Sequence, residues 1–274
     1  MKRINVAITG ADGFLGRHLV SRLEGEQHIV VSLFDRNKYN LLRLNSLEFF
    51  LKDVDVVIHL AGVNRDSDYN LFKINALGTV GLLEGILSYS PNAKLILSSS
   101  FQIYKPESMY GLSKKFAEEL IEYYSIRYDL RSIILRVSNI YGPGGRPFYN
   151  SVVATFVHQA KRGELLKING DGTQKRDYIY VEDVVGAIIQ SIHYNTFKIN
   201  VQYFNICSGV LTSINEIIKL LRKTYSKKIK IKYNKAFKER EWENEKPYSN
   251  IQSKRFLSWR PAIPLEDGLR SMFD

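Results

Sequence analysis

The sequence predicts an α/β fold, a doubly wound parallel sheet with helices on both faces, followed by a smaller mixed α/β part. Three observations predict it. Over the first half, short β-branched runs alternate with helical patterns, as strands joined by crossover helices must. A glycine-rich stretch, Thr9-Gly10-Ala11-Asp12-Gly13-Phe14-Leu15-Gly16, falls between the first strand and the first helix. After Tyr141-Gly142-Pro143-Gly144-Gly145 the alternation loosens.

Strands are expected at 4–9, 29–34, 56–60, 94–98 and 132–137, each bounded by loop or helix signals. Helices are expected at 14–24, 39–51, 70–88 and 108–127. In the second of these Leu41, Leu44, Leu47 and Leu51 follow helical spacing, so a usual third strand is shortened or absent. Downstream, helices at 152–162, 181–193 and 214–225 mix with short strands at 178–180, 204–206 and 229–233. Pro247, Pro261 and Pro264 punctuate the end.

A chain of 274 residues with 45% hydrophobic content is large enough for one substantial globular domain and a satellite. No apolar run approaches the roughly 20 residues of a membrane span. The start, Met1-Lys2-Arg3-Ile4-Asn5-Val6, does not read as a secretory signal, and the expected compartment is the cytoplasm. Cys207 is the single cysteine, which excludes an internal disulfide framework and a Cys-rich zinc site; no metal site is expected. The net charge of +11 is crowded between Lys219 and Arg240. No nucleic-acid-binding signature accompanies it, so no nucleic-acid partner is expected, and the charge reads as a field steering an anionic small substrate.

The glycine stretch carries specific physical logic. Gly10 permits a tight turn, Gly13 lets the backbone approach a pyrophosphate, and Gly16 lets the helix pack closely, while the amides of Phe14 and Leu15 at the helix start face the anion. Such a turn in this position predicts a Rossmann-type dinucleotide site. Asp35 and Arg36 end the second strand, where the adenosine ribose would lie. An Asp there favours NAD and an Arg favours NADP. Both are present, Phe34 holds the place where an acid is expected, and Arg17 with Arg36 tilts the reading toward NADP. Residues 1–145, with a returning segment of about 178–210, are expected to form the dinucleotide-binding domain, and 146–177 with 211–274 the substrate-binding part.

Tyr110 and Lys114, in Tyr110-Gly111-Leu112-Ser113-Lys114, stand one helical turn apart on one face. A free phenol has a pKa of about 10, so proton exchange near neutrality needs roughly 4 kcal/mol of phenolate stabilisation. A neighbouring ammonium is one source.

With the glycine turn, Ser98-Ser99-Ser100 after a strand, and Tyr110 and Lys114 on the next helix, the chain resembles the extended short-chain dehydrogenase/reductases, in particular the nucleotide-sugar epimerase/dehydratase/reductase branch. The similarity runs from about residue 3 to residue 270. The resemblance implies that Ser100 hydrogen-bonds the substrate oxygen, that Tyr110 exchanges a proton with it, and that Lys114 binds the nicotinamide ribose and lowers the tyrosine's pKa. It also implies cofactor contacts at Leu60, Ala61 and Gly62, in His59-Leu60-Ala61-Gly62, and at Asn75. Asn139, Arg176 and Arg240 match positions that hold the diphosphate of a nucleotide sugar, a task that suits a planar guanidinium. A homodimer through 70–88 and 108–127 is expected by analogy of fold.

Two departures from the family pattern bear on the reaction. Phe101 and Gln102 stand where 4,6-dehydratases place an acidic pair, and neither can act as a general acid or base. Few residues separate Tyr104 from Tyr110, where many epimerases carry a longer loop. The expected function is therefore NAD(P)-dependent reduction of a 4-keto-6-deoxy sugar nucleotide at its C4 carbon. A 4-epimerase that retains NAD is the alternative, and a non-catalytic cofactor-binding sensor or scaffold is the alternative of another class.

Overall fold

Val6, Ala7 and Ile8 are buried in succession along β1 (Ile4–Thr9), and since neighbouring side chains point to opposite faces, both faces of that strand are covered. The computed structural model describes residues 3–149, 151–234 and 247–273. From β1 the chain runs through α1 (Phe14–Leu23), β2 (Ile29–Leu33), α2 (Glu48–Leu51), β3 (Val56–His59), α3 (Asp68–Phe72), α4 (Gly78–Tyr89), β4 (Lys94–Ser100), α5 (Met109–Tyr128) and β5 (Ser132–Val137). It continues through β6 (Asn139–Tyr141), α6 (Val152–Lys161), β7 (Leu166–Asn169), β8 (Lys175–Tyr180), α7 (Val181–His193) and β9 (Val201–Ile206). Last come β10 (Leu211–Ser213), α8 (Ile214–Thr224), β11 (Ile231–Asn234), α9 (Ile251–Phe256) and α10 (Leu265–Arg270). Two compact units result, Met1–Val137 with Val185–Phe204, and Ser138–Val184 with Asn205–Asp274.

The first unit is built on a six-stranded sheet of order β2-β1-β3-β4-β5-β9, with parallel pairing from β2 through β5. The winding leaves β1 for β2 on one side and returns to β3 on the other, so the carboxyl ends of β1 and β3 flank the switch point at which ligands bind such sheets. This is the Rossmann-type architecture. Beneath it, Ala7, Val57, Leu95, Leu97 and Ile134 from the sheet pack with Leu82, Leu83 and Ile86 of α4 and Ile121 of α5. Each such side chain contributes about 1.5–3 kcal/mol when fully buried.

Two helices differ from expectation. Only the end of 39–51 is helical, as a 3₁₀ turn over Leu44–Leu47 and the single turn α2. The reason is competition from side chains: the Asn40 amide oxygen accepts from Leu42 N–H at 2.9 Å, and the Ser46 hydroxyl accepts from Asn40 N–H at 2.9 Å and donates to Arg43 O at 2.7 Å. The other helix, expected over 70–88, is broken by a π-helical turn at Lys73–Leu77 between α3 and α4. The stretch Asp68–Tyr89 is long and apolar enough to cross a membrane by length and composition, and half of it is buried in the unit. Leu82, Leu83 and Ile86 account for that apolarity by filling the core.

In the second unit β10-β8-β6 form one sheet and β11-β7 another. Helix α8 begins with a reciprocal capping box, Ser213 accepting from Glu216 N–H while the Glu216 carboxylate accepts from Ser213 N–H. Ile214, Ile217, Ile218 and Leu221 bury one face of it against Val153, Phe156 and Val157 of α6 and Leu166 of β7.

Candidate functional site

Gly10 has φ +76, and a Cβ there would stand 2.5 Å from Ala61 N and 2.6 Å from the Leu60 carbonyl carbon. Only glycine lets the end of β1 turn this close to the strand end after β3. Gly13 is the N-cap of α1 and donates its N–H to Gly10 O at 3.0 Å. Lacking a side chain, it leaves the first-turn amides of Phe14, Leu15 and Gly16 without a side-chain cap, which suits an anion. A Cβ on Gly16 would run into Gly10 O and stand 2.7 Å from the Ala11 Cα, so the helix packs directly on the turn. Arg17 braces the same turn by donating to Asp12 O at 2.6 Å.

At the end of β2 the three expected residues take different places. Phe34 packs its ring against the core, 5.2 Å from Phe50 and 5.7 Å from Tyr39 between centroids. Asp35 Oδ1 accepts from Asn37 N–H at 2.9 Å, and its other oxygen lies 3.9 Å from Lys38 Nζ. Arg36 is exposed.

Between β1 and α5 runs a directed polar chain, of which the sequence singled out Asn75 but not Thr9, His59, Thr79 or Ser113. The Asn75 side chain, in the π turn, accepts from Val63 N–H at 2.9 Å and donates to Val63 O at 2.8 Å and to Ser113 Oγ at 3.0 Å. Thr79 donates to Asn75 O at 2.7 Å, so its oxygen accepts from His59 Nε2–H at 3.1 Å. His59 Nδ1 then accepts from the Thr9 hydroxyl at 2.7 Å. Burial first and Lys114 second push the His59 pKa down to about 3, which keeps the imidazole neutral, as this chain of donors requires. The clamp on Val63 also sets Gly62, where a Cβ would stand 3.0 Å from Asn75 Oδ1 and 3.4 Å from Lys114 Nζ. Helical spacing of Asn75 and Thr79 was the one signal available; the partners are distant in sequence.

The serine run at the end of β4 meets three successive turns of α5. Lys114 Nζ donates to Ser98 O at 2.9 Å, the Ser99 hydroxyl donates to Glu118, and the Ser100 side chain stands near enough to Tyr110 to favour its phenolate. Burial lowers the Lys114 pKa to about 8, with Glu118 opposing. Burial raises that of Tyr110, with Ser100 opposing. The Lys114 ammonium is engaged with the Ser98 carbonyl, and burial is the largest influence on both groups. Phe101 packs edge-on to Tyr104 at 5.7 Å and Gln102 accepts from Ser108 Oγ at 3.0 Å, so neither position offers a carboxyl group.

Of the residues matched to a diphosphate, Asn139 and Arg176 lie in the second unit. Asn139 Nδ2 donates to Asp177 O at 2.9 Å and Arg176 donates to Lys175 O at 2.7 Å. Asp177, buried between them, accepts from Ser138 Oγ at 2.7 Å, Ser208 N at 3.0 Å and Gly209 N at 2.7 Å and so fixes the loop after β9. Arg240 lies outside the described residues. Among the described residues no group of His, Cys, Asp and Glu could hold a metal ion.

The family described as the NAD dependent epimerase/dehydratase family matches residues 6–207, from β1 through β9. The chain belongs to that family. It is 30% identical to a putative UDP-glucose 4-epimerase of Methanocaldococcus jannaschii, across 97% of this chain and 96% of that protein. It is 36% identical to the UDP-2-acetamido-2,6-beta-L-arabino-hexul-4-ose reductase of Pseudomonas aeruginosa, across 68% of this chain and 49% of that protein. Its fold superposes on RMD from Pseudomonas aeruginosa complexed with NADPH with a TM-score of 0.86, at 25% identity, covering 98% of this chain and 97% of that one. The protein is thus an NAD(P)-dependent enzyme of the extended short-chain dehydrogenase/reductase type. Its own residues fit the cofactor: the positive-φ Gly10, the uncapped start of α1, and the side-chain-free Gly62 beside Asn75 and Lys114 form a cradle that any Cβ would fill.

Proposed function

We propose that this enzyme reduces the C4 ketone of a 4-keto-6-deoxy sugar carried on a nucleoside diphosphate, using NADPH. The observation that carries the reading is the Ser100–Tyr110 hydroxyl pair beside buried Lys114, with Phe101 and Gln102 where dehydration would need acids. Ser100 and Tyr110 donate to the ketone oxygen, and Tyr110 gives up its proton as the alcohol forms. Bound NADPH supplies the hydride. Lys114 steadies the resulting phenolate with its charge. A phenol held above its ordinary pKa is protonated at neutral pH, which suits a proton donor in the reductive direction.

Gly10, Gly13, Gly16 and the first-turn amides of α1 would hold the pyrophosphate, and Asn75 would hold the loop at Gly62 in place. With Phe34 turned into the core, discrimination at the adenosine ribose falls to Asp35, Arg36 and Arg17, and the two arginines favour a 2′-phosphate. Asn139, Arg176 and Arg240 would take the substrate diphosphate, with uridine as the nucleoside, since both curated relatives are named for UDP-linked sugars. A cytoplasmic homodimer completes the proposal.

A 4-epimerase with retained NAD is the second reading, favoured by the full-length similarity to a putative UDP-glucose 4-epimerase. The test is NADPH and NADH oxidation with a panel of 4-keto-6-deoxy sugar nucleotides, with mass spectrometry of the products. Stoichiometric NADPH consumption supports the reductase; turnover without added cofactor by protein that purifies with NAD overturns it. Tyr110→Phe should retain NADPH binding and lose about 10²- to 10⁴-fold in turnover.

A further inference from the structure

Ser113 stands between Tyr110 and Lys114 on α5, fully buried, and the proton transfer proposed above gives it no task. A serine inside a helix ordinarily satisfies itself on a carbonyl one turn back, and Ser113 does so, donating to Tyr110 O at 2.9 Å. Its oxygen also makes a bond that no helix requires, accepting from Asn75 Nδ2 at 3.0 Å. Asn75 is buried too, in the π turn Lys73–Leu77. Val63 offers it one donor and one acceptor, so the amide has a single arrangement, with Oδ1 on Val63 N–H and one Nδ2 hydrogen on Val63 O. The other Nδ2 hydrogen is left for Ser113. The segment gripped in this way is the one in which Gly62 lies against Asn75 Oδ1 and Lys114 Nζ. Val63, Asn75, Ser113 and Tyr110, all in the first unit, therefore form one line of hydrogen bonds from the loop after β3 to the backbone of the tyrosine.

We propose that Ser113 is a positioning residue: by binding Asn75 and the Tyr110 carbonyl together, it holds the loop at Gly62 and Val63 at a fixed distance from Tyr110. The inference rests on the reading of Tyr110 as the proton donor and of Gly62 as a cofactor contact. Reducing a ketone needs hydride at the carbon and a proton at the oxygen of one carbonyl group, so the two donors must be registered to each other as well as to the substrate. The tyrosine is carried by α5 and the loop by β3, and the Asn75–Ser113 bond joins them. A hydroxyl is the group this place needs. Alanine would leave one Asn75 hydrogen unpaired in the interior, and an amide that turned to satisfy it would release Val63.

Hydrogen exchange of the Val63 amide, followed by NMR in the protein as purified, and steady-state kinetics with NADPH and a 4-keto-6-deoxy sugar nucleotide test this together. In Ser113→Ala the Val63 amide should exchange about tenfold faster or more, because its acceptor is loosened. Over the same change kcat should fall about 10- to 100-fold while KM for the sugar nucleotide stays within about threefold. Asn75→Ala, alone and combined with Ser113→Ala, separates a tie from general loosening. A residue that acts through Asn75 adds less than about twofold to the loss in kcat that Asn75→Ala causes alone, whereas independent damage multiplies. Faster exchange, a lower kcat and no further loss in the double variant support the proposal. An unmoved Val63 amide, an undiminished kcat, or losses that multiply overturn it. Should Asn75→Ala fail to fold, exchange and kcat decide; should Ser113→Ala fail, Ser113→Cys takes its place, since a thiol nearly keeps the volume and is a poor hydrogen-bond partner. No substrate enters the exchange measurement, so absent turnover with NADPH would count against the reductase reading while the Val63 amide still decides whether the tie holds the loop.

Discussion

Burial draws Lys114 from its ordinary 10.5 down to about 8, so the fold carries a cost for holding this ammonium. In the window between those two values the unfolded chain binds more protons than the native one, and stability rises with pH there. Below about pH 8 the cost is present in full. Lys114→Met is therefore expected to stabilise the protein by about 1 to 3 kcal/mol at pH 7, less than the whole shift because Ser98 O loses its donor. Urea unfolding at pH 7 checks this, and an unchanged or lower midpoint would contradict the burial account. The residues of this site were legible unevenly. Gly10 was readable because a turn of positive φ against Ala61 admits no side chain, and Ser100 because counting back from Tyr104 in Ser100-Phe101-Gln102-Ile103-Tyr104 singles it out of the serine run. Glu118 and Arg136 were not, since nothing in a linear sequence marks two charges 18 positions apart as an ion pair.

At the scale of elements, His59 links β1, β3 and the helix that follows the π turn through Thr9 and Thr79. Its pKa is about 3 in the fold against 6.5 for an ordinary imidazole. The unfolded chain gains the proton first, so this contribution is complete above about pH 6.5 and is lost as pH falls toward 3. At about 1.36 kcal/mol per unit, moving from pH 7 to pH 4.5 should cost about 2 to 3 kcal/mol through this one ring. His59→Gln, which cannot titrate, should show a correspondingly smaller loss over that interval in denaturant melts. If both proteins lose equal stability, the ring is not buried neutral. Elements whose hydrophobic pattern is complete were visible beforehand: β1, β3, β4 and β5 are largely apolar runs because both their faces are covered, and α8 shows its buried stripe plainly. β6, β7 and β10 span only three or four residues, too few for a period to register. The stretch 39–51 misled for a different reason, since its leucine spacing is helical but Asn40 and Ser46 bind the backbone that a helix would need.

For the whole molecule, the clearest untested expectation is that two copies associate. On α5 Leu112, Phe116, Tyr123 and Ile126 recur at intervals of four, seven and three, so they fall on one side of the helix, with exposures of 46%, 39%, 57% and 74%. Tyr69 of the preceding α3 is also open, at 71%. A stripe of this kind loses free energy to water at about 25 cal/mol for each Å² left uncovered, and monomers seldom carry large contiguous ones. A helix pair from each of two copies would cover it in a self-complementary contact. The 31.6 kDa chain should then travel at twice its mass in light scattering. Ile126→Glu puts a charge into the most exposed point of the stripe and should leave a folded monomer with its thermal transition nearly intact, because that side chain contributes little within one copy. A wild-type protein that scatters as a monomer at micromolar concentration would end the homodimer reading, and so would an Ile126→Glu variant that stays dimeric.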